Sequence, residues 1–171
     1  EGRSGEERDR GTWQGKIGSP AQMGRNNGVE GKRAADPNWK MLDRPTGEFT
    51  QAKGQEVMES FLKTYDNINV VIAENDNMAF GAIDAIKAAG KTCGPDGDII
   101  IISFDAVAAA FDSMIAGDMN VSVECNPLHG PRVAELIQKL EKGESVDKIA
   151  YVQEVVFPAD TAAEIKPSRA Y

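Results

Sequence analysis

From residue 47 onward the chain alternates two kinds of apolar spacing. In "FTQAKGQEVMESFLKTY", Val57, Met58, Phe61, Leu62 and Tyr65 recur at intervals of three and four, the period that gathers side chains on one face of a helix. "INVVIA" at 68–73 is continuously apolar over the length of a strand, as expected where both faces of a sheet are covered. A helix over 76–89 follows, then a second apolar strand "DIIIISF" at 98–104, a helix through "AVAAAFDSMIAG" and a shorter strand "MNVSVE" at 119–124. "HGPRVAELIQKLEKG" sets Val133, Leu136, Ile137 and Leu140 on one helical face, and "IAYVQEVVF" at 149–157 reads as a last strand. Strands and helices in this alternation predict βαβ units, hence an α/β fold with a three-layer parallel sheet.

The N-terminal quarter carries a weaker pattern. "EGRSGEERDRGT" has no large apolar residue with which to bury a face, which predicts a disordered stretch over 1–12. From Trp13 to Arg44 glycines and prolines interrupt the pattern, and only "NWKMLD" at 38–43 reads as a short strand.

Composition narrows the function classes. The 171 residues suffice for one filled core or for pieces of two lobes. A formal net charge of -8 argues against nucleic acid as a partner, because phosphate tracking needs clustered Lys and Arg. No apolar run approaches the roughly 18 residues of a membrane span, so no direct membrane insertion is expected, and no leader is visible ahead of Glu1. A single histidine, His129, reads as a solvated loop residue, and the two cysteines form no CxxC, so no metal framework is available. Cys93 precedes a strand and Cys125 ends one. They fall at opposite ends of a parallel sheet, beyond the roughly 7 Å that a disulfide spans, and are expected as free thiols. Trp13 and Trp39 read as packing residues. With no nucleophile–base arrangement and no GxxxxGK loop, neither an enzyme nor a cofactor is expected.

Polar side chains at strand exits carry the functional signal, since ligands of open parallel sheets bind outside the carboxyl ends of the strands. The first exit offers Asn75 and Asp76, the second Asp105, the third Glu124 and Cys125. Asp76, next to the helix body, reads as the N-cap, which leaves the Asn75 amide to face the crevice.

"GEFTQAKGQEVMESFL", "AENDNMAFGAIDAIKAAG" and "IISFDAV", with "WQGKIGSP" upstream, resemble the ribose- and galactofuranose-type periplasmic sugar-binding proteins of ABC transporters. Their ligand domain is shared with lactose-repressor-like regulators. The resemblance runs from about Gln14 to the C-terminus. It implies a periplasmic-binding-protein-like type I fold in which a monosaccharide is clamped between two lobes. This chain would supply one lobe plus returning hinge segments: residues 13–125 as the C-terminal lobe, 126–157 as a segment of the absent N-terminal lobe, and 158–171 as the return.

Carried over by position, the family's sugar contacts fall on Arg25, Phe49, Asn75 and Asp105. Guanidinium, carboxylate and amide groups match adjacent sugar hydroxyls that both donate and accept, and an aromatic ring suits the C–H face of the sugar. Read alone, Phe49 would be a hydrophobic staple, Arg25 a solvated charge and Asp105 a cap. Two departures concern this site. Cys125 stands where ribose binders carry a glutamine, with Glu124 beside it as a substitute. The family's "FDG" reads "FDA" here, which is tolerable if Ala106 keeps an ordinary backbone conformation. The helix expected after Arg25, "NNGVEGKRAADPNWK", also has few apolar positions. The resemblance implies a monomeric periplasmic receptor that delivers a pentose or hexose to an ABC permease without chemistry. The alternatives are the effector domain of a lactose-repressor-like regulator and, less favoured, an enzyme on a doubly wound fold.

Overall fold

The computed structural model describes residues 8–36 and 38–171. Six strands form one sheet: β1 (Arg8–Trp13), β2 (Trp39–Met41), β3 (Val70–Ala73), β4 (Ile100–Asp105), β5 (Val121–Glu124) and β6 (Val156–Pro158), in the spatial order β2-β1-β3-β4-β5-β6. The first five are parallel, and β6 runs antiparallel to β5 at the edge. The helices are α1 (Pro20–Ala35), α2 (Gln51–Thr64), α3 (Asp76–Ala88), α4 (Ala108–Ile115), α5 (Gly130–Glu141) and the short α6 (Ala162–Ile165).

The crossover rule explains the layers. The step from β1 to β2 goes one way along the sheet and every later parallel step goes the other, so right-handed connections put α1 on one face and α2, α3 and α4 on the opposite one. Strand side chains divide accordingly. Val71, Ala73, Ile99 and Ile101 join Met58, Phe61, Met78, Ile86 and Phe111 in the larger core. Val70, Ile72, Ile100, Ile102 and Phe104 point to the α1 side, where Val29 and Trp39 meet them. Helices α2 and α3 approach until Gly81 lies against the α2 backbone; a Cβ there would sit 2.1 Å from the Gln51 carbonyl oxygen.

Two sequence expectations change. Residues 8–12, expected to be disordered, form most of the interior strand β1, while residues 1–7 lie outside the described set. Polar letters are accommodated there one by one: Arg10 lies 4.1 Å above the Trp39 ring and donates to the Asn38 carbonyl, and Gly11 leaves room for the buried Trp13 ring. Trp13 itself ends β1, but its ring turns into the core against Phe61, at 4.9 Å between centroids. The strand expected over 149–157 is confined to Val156–Pro158, because only these residues reach β5. Both cysteines are free, Cys93 buried and Cys125 exposed. Among the described residues no helix is long and apolar enough to cross a membrane.

Among the described residues, helix α5 is the one long element with no buried residue. Its apolar stripe leaves Val133, Ile137 and Leu140 at least half exposed.

Candidate functional site

Every candidate except Arg25 and Phe49 sits where a strand hands over to a helix. Arg25 comes from the second turn of α1, which Ser19 caps through its hydroxyl and Pro20 opens in a φ suited to a first helical turn. From there its guanidinium spans two strand exits. Nη1 donates to the Glu74 carbonyl beyond β3, Nη2 donates to Asp105 Oδ1 at the end of β4 at 2.6 Å, and the group lies 5.0 Å from the Phe104 ring centre. Burial raises the Asp105 carboxyl above its ordinary range, with the Arg25 charge and hydrogen bond pulling the other way.

Phe49 is placed by strained backbone. Glu48 and Phe49 both have positive φ, 52° and 61°, a region that disfavours side chains with a Cβ. The ring lies over Gly15, where a Cβ would fall 1.9 Å from the ring carbon Cε1, so only glycine lets it settle. The staple explanation lacks a partner, because the fourth position of α2 is Gly54. Asn75 ties this loop to α3: Oδ1 accepts from the Met78 N–H at 3.0 Å and Nδ2 donates to the Phe49 carbonyl at 3.1 Å. Phe49, Asn75, Glu74, Arg25 and Asp105 thus form one connected row along the carboxyl edge of β3 and β4, next to the exit of β1.

Comparison with known proteins gives this row a context. A model of the periplasmic binding protein domain matches residues 11–145. The chain belongs to that family. It is 37% identical over 155 residues to the galactofuranose-binding protein YtfQ of Escherichia coli strain K12, an alignment covering 88% of this chain and 48% of that protein. Among solved structures, the periplasmic binding component of the arabinose ABC transporter of Shewanella sp. ANA-3, bound to α- and β-L-arabinofuranose, is 39% identical. It superposes with a TM-score of 0.89 over 95% of this chain and 54% of its own. A Mycobacterium smegmatis protein in complex with β-D-fucofuranose is 35% identical, with a TM-score of 0.88 over 96% of this chain and 53% of its own. The chain spans about half the length of the curated relatives it matches.

Within this periplasmic binding protein domain, three candidate residues behave differently from expectation. Asn75, not Asp76, is the N-cap of α3, so its amide is engaged on both sides rather than free. Asp76 is buried in the first turn, where Oδ1 accepts from the Ser122 hydroxyl at 2.8 Å and Oδ2 from the Val107 N–H at 2.9 Å. Burial raises it to about 6. Glu124 does not join the row. Its Oε1 accepts from Arg169 at 2.8 Å and Tyr171 at 2.6 Å, and its Oε2 from the Val155 N–H at 3.2 Å. Burial works against ionisation of Glu124, but the Tyr171 hydroxyl and Arg169 overcome it and hold the carboxyl below its ordinary range. It staples the two chain segments that leave the sheet near β5, which Asn126 and Glu154 also link, at 3.1 Å.

Cys125 is held by its backbone, the N–H donating to the Asp105 carbonyl at 3.2 Å. Its side chain borders an apolar groove on the α1 side of the sheet with Val29, Ile102, Phe104 and Val123. The "FDA" turn is also not ordinary: φ is 105° at Asp105 and 57° at Ala106. Sequence reasoning missed Glu74. It is fully buried, Oε2 accepts from the Gly15 N–H at 2.7 Å, Oε1 is without a partner, and burial raises its carboxyl above the ordinary range. A carboxylate directly after an apolar strand was the available signal. Among the described residues no group of three His, Cys, Asp or Glu could hold a metal ion.

Proposed function

We propose that this chain is the C-terminal lobe, with its crossover segments, of a periplasmic receptor that binds a monosaccharide and presents it to an ABC permease. The observation that carries the reading is the connected row of a guanidinium, a carboxylate, an amide and an aromatic ring at one sheet edge, in a chain whose relatives are named as sugar-binding and sugar-import proteins. Arg25 and Asp105 meet hydroxyls, Asn75 offers the second hydrogen of Nδ2 beyond its bond to the Phe49 carbonyl, and Phe49 meets a C–H face. The ligands named for the structural relatives above are furanoses, which supports a five-membered ring for this site too. The names of the fructose and ribose import binding proteins among the relatives favour the receptor over the regulator.

The other jaw belongs to the remainder of the full-length protein. Residues 126–155, with the exposed stripe of α5, belong against it, and the chain returns at β6. Closure around the sugar selects the conformation that the permease reads, with the receptor acting as a monomer and no bond made or broken.

The test is calorimetric titration of the full-length protein with L-arabinose, D-galactose, D-fructose and D-ribose. One of these sugars is expected to bind tightly, and Asp105→Ala is expected to weaken it at least about tenfold, as loss of a hydrogen bond to a charged group implies. Tight sugar binding that survives Asp105→Ala unchanged would refute the assignment.

A further inference from the structure

The turn between β4 and α4 is braced far more heavily than a connecting loop requires. Asp105 and Ala106 hold positive φ with side chains attached, a state that persists only where the surroundings over-determine it. Four backbone groups in a row are each gripped from elsewhere. The Ala106 N–H donates to Ser122 Oγ on β5 at 3.1 Å, and the Ala106 carbonyl accepts from Arg169 Nη2 at 2.9 Å. The Val107 N–H donates to Asp76 Oδ2 on α3, and the Ala108 N–H donates to the backbone oxygen of Tyr171 at 2.8 Å.

The braces are themselves fixed. Ser122 donates to Asp76 Oδ1, and Arg169 is bound to Glu124 and lies 4.4 to 5.3 Å from the ring centres of Tyr171, Phe157 and Phe111. None of the four gripping residues shares a hydrogen bond with Arg25, Asn75 or Phe49.

We propose that Asp76, Arg169 and Tyr171 are positioning residues for ligand binding: they hold the Asp105–Ala106 turn in its left-handed conformation and thereby aim the Asp105 carboxylate at Arg25. This rests on the reading of Asp105 as a ligand contact. Relaxation of the turn to negative φ would swing the Asp105 side chain away from the guanidinium, so residues that never touch the sugar would set its affinity.

The experiment uses the full-length protein, with Arg169→Met and Asp76→Ala made singly and each combined with Ala106→Gly. Arg169→Met keeps an unbranched side chain against the aromatic rings but removes the donors; Asp76→Ala removes the acceptor of the Val107 N–H from the α3 side and serves if the first variant folds poorly. Two quantities are read: amide hydrogen exchange of residues 105–108 without sugar, and calorimetric affinity for L-arabinose and D-galactose. Each single variant is expected to speed exchange in the turn and to weaken sugar binding about tenfold, one charged hydrogen bond's worth. Ala106→Gly, which adopts positive φ without strain, is expected to recover most of that affinity, yet none of it in Asp105→Ala.

Unchanged exchange in both single variants would overturn the proposal, as would an affinity loss that Ala106→Gly leaves in place. If the wild type binds neither sugar, the exchange measurement still judges the brace, and the failure then lies with the ligand reading alone.

Discussion

Asp76 offers a quantitative check because its burial has a cost with a definite pH signature. Asp76→Asn removes the ionisation while keeping shape: Oδ1 can still accept from the Val107 N–H, and Nδ2 can donate to Ser122 Oγ. In the folded chain the carboxyl is raised from 3.8 to about 6 by burial, which outweighs the hydrogen bonds it accepts. The folded state therefore binds more protons than the unfolded state between these values, and stability must fall as pH rises through the window. At 1.36 kcal/mol per pH unit the loss is about 3 kcal/mol, present in full below pH 4 as added stability and gone above about pH 7. Glu74 and Asp105 are also raised and Glu124 is lowered, so the absolute profile mixes several groups. The difference between wild type and Asp76→Asn isolates one. Urea unfolding at a series of pH values, followed by the fluorescence of Trp13 and Trp39, supplies both curves. The wild type is expected to lose about 3 kcal/mol relative to the variant between pH 4 and pH 7. A flat difference, or one of opposite sign, would refute the account of Asp76 as a buried, desolvated carboxylate.

Gly15→Ala forces the Phe49 ring out of the position it shares with the new Cβ, and is expected to destabilise the fold by about 1 to 3 kcal/mol in thermal or urea unfolding, as overpacking does. In a thiol titration of the native protein Cys125 is expected to react first. Cys93, buried and pushed up to about 11, should appear only on unfolding, for two thiols in all. Leu140→Ser on the exposed stripe of α5 is expected to change the stability of the 171-residue chain by less than about 0.5 kcal/mol but to cost the full-length protein about 1 kcal/mol or more, since half of that side chain is still to be covered. Equal effects in both would refute the docking of α5 on the other jaw.

How much of this was legible follows from where the deciding partner lies. Strands β3 and β4 and helices α2 and α3 declare themselves because their burial is written in their own letters, VVIA and IIISFD as strands, Met58 and Phe61 at helical spacing. Strand β1 does not, because "RDRGTW" is interior only by virtue of what surrounds it: Arg10 finds Trp39 and Asn38, and Thr12 lies fully buried beside Met41. The capping assignment failed for a related reason. Asn and Asp are about equally good N-caps, so adjacent Asn75 and Asp76 could not be ordered locally. Ser122, 46 positions on, draws Asp76 away from the cap role. Glu124 was misplaced in the same manner, its partners Arg169 and Tyr171 lying 45 and 47 positions downstream. The four residues transferred by resemblance do form a row; the positive φ of Ala106 that aims one of them was invisible in the letters "FDA".

The electrostatics of that row bear on how a half-site can favour a neutral ligand. Asp105 meets Arg25 through Oδ1 at 2.6 Å, yet its carboxyl still sits above the ordinary range, so a single guanidinium contact does not replace the water it has lost. A carboxylate in that state gains from each further donor more than a solvated one would, because folding already carries the cost of its desolvation. On the proposed reading a pair of sugar hydroxyls would supply such donors without adding charge, with the Arg25 charge favouring the ionised form. A second anion in the same place would find its repulsion from Asp105 magnified by the same burial. Lowering the pH enough to protonate Asp105 should therefore weaken sugar binding in the full-length protein from a pH above the ordinary aspartate range, by replacing an acceptor of two hydroxyls with a group that must itself donate. Affinity that stays constant until the ordinary aspartate range is reached would mean that the carboxylate is not what the hydroxyls meet.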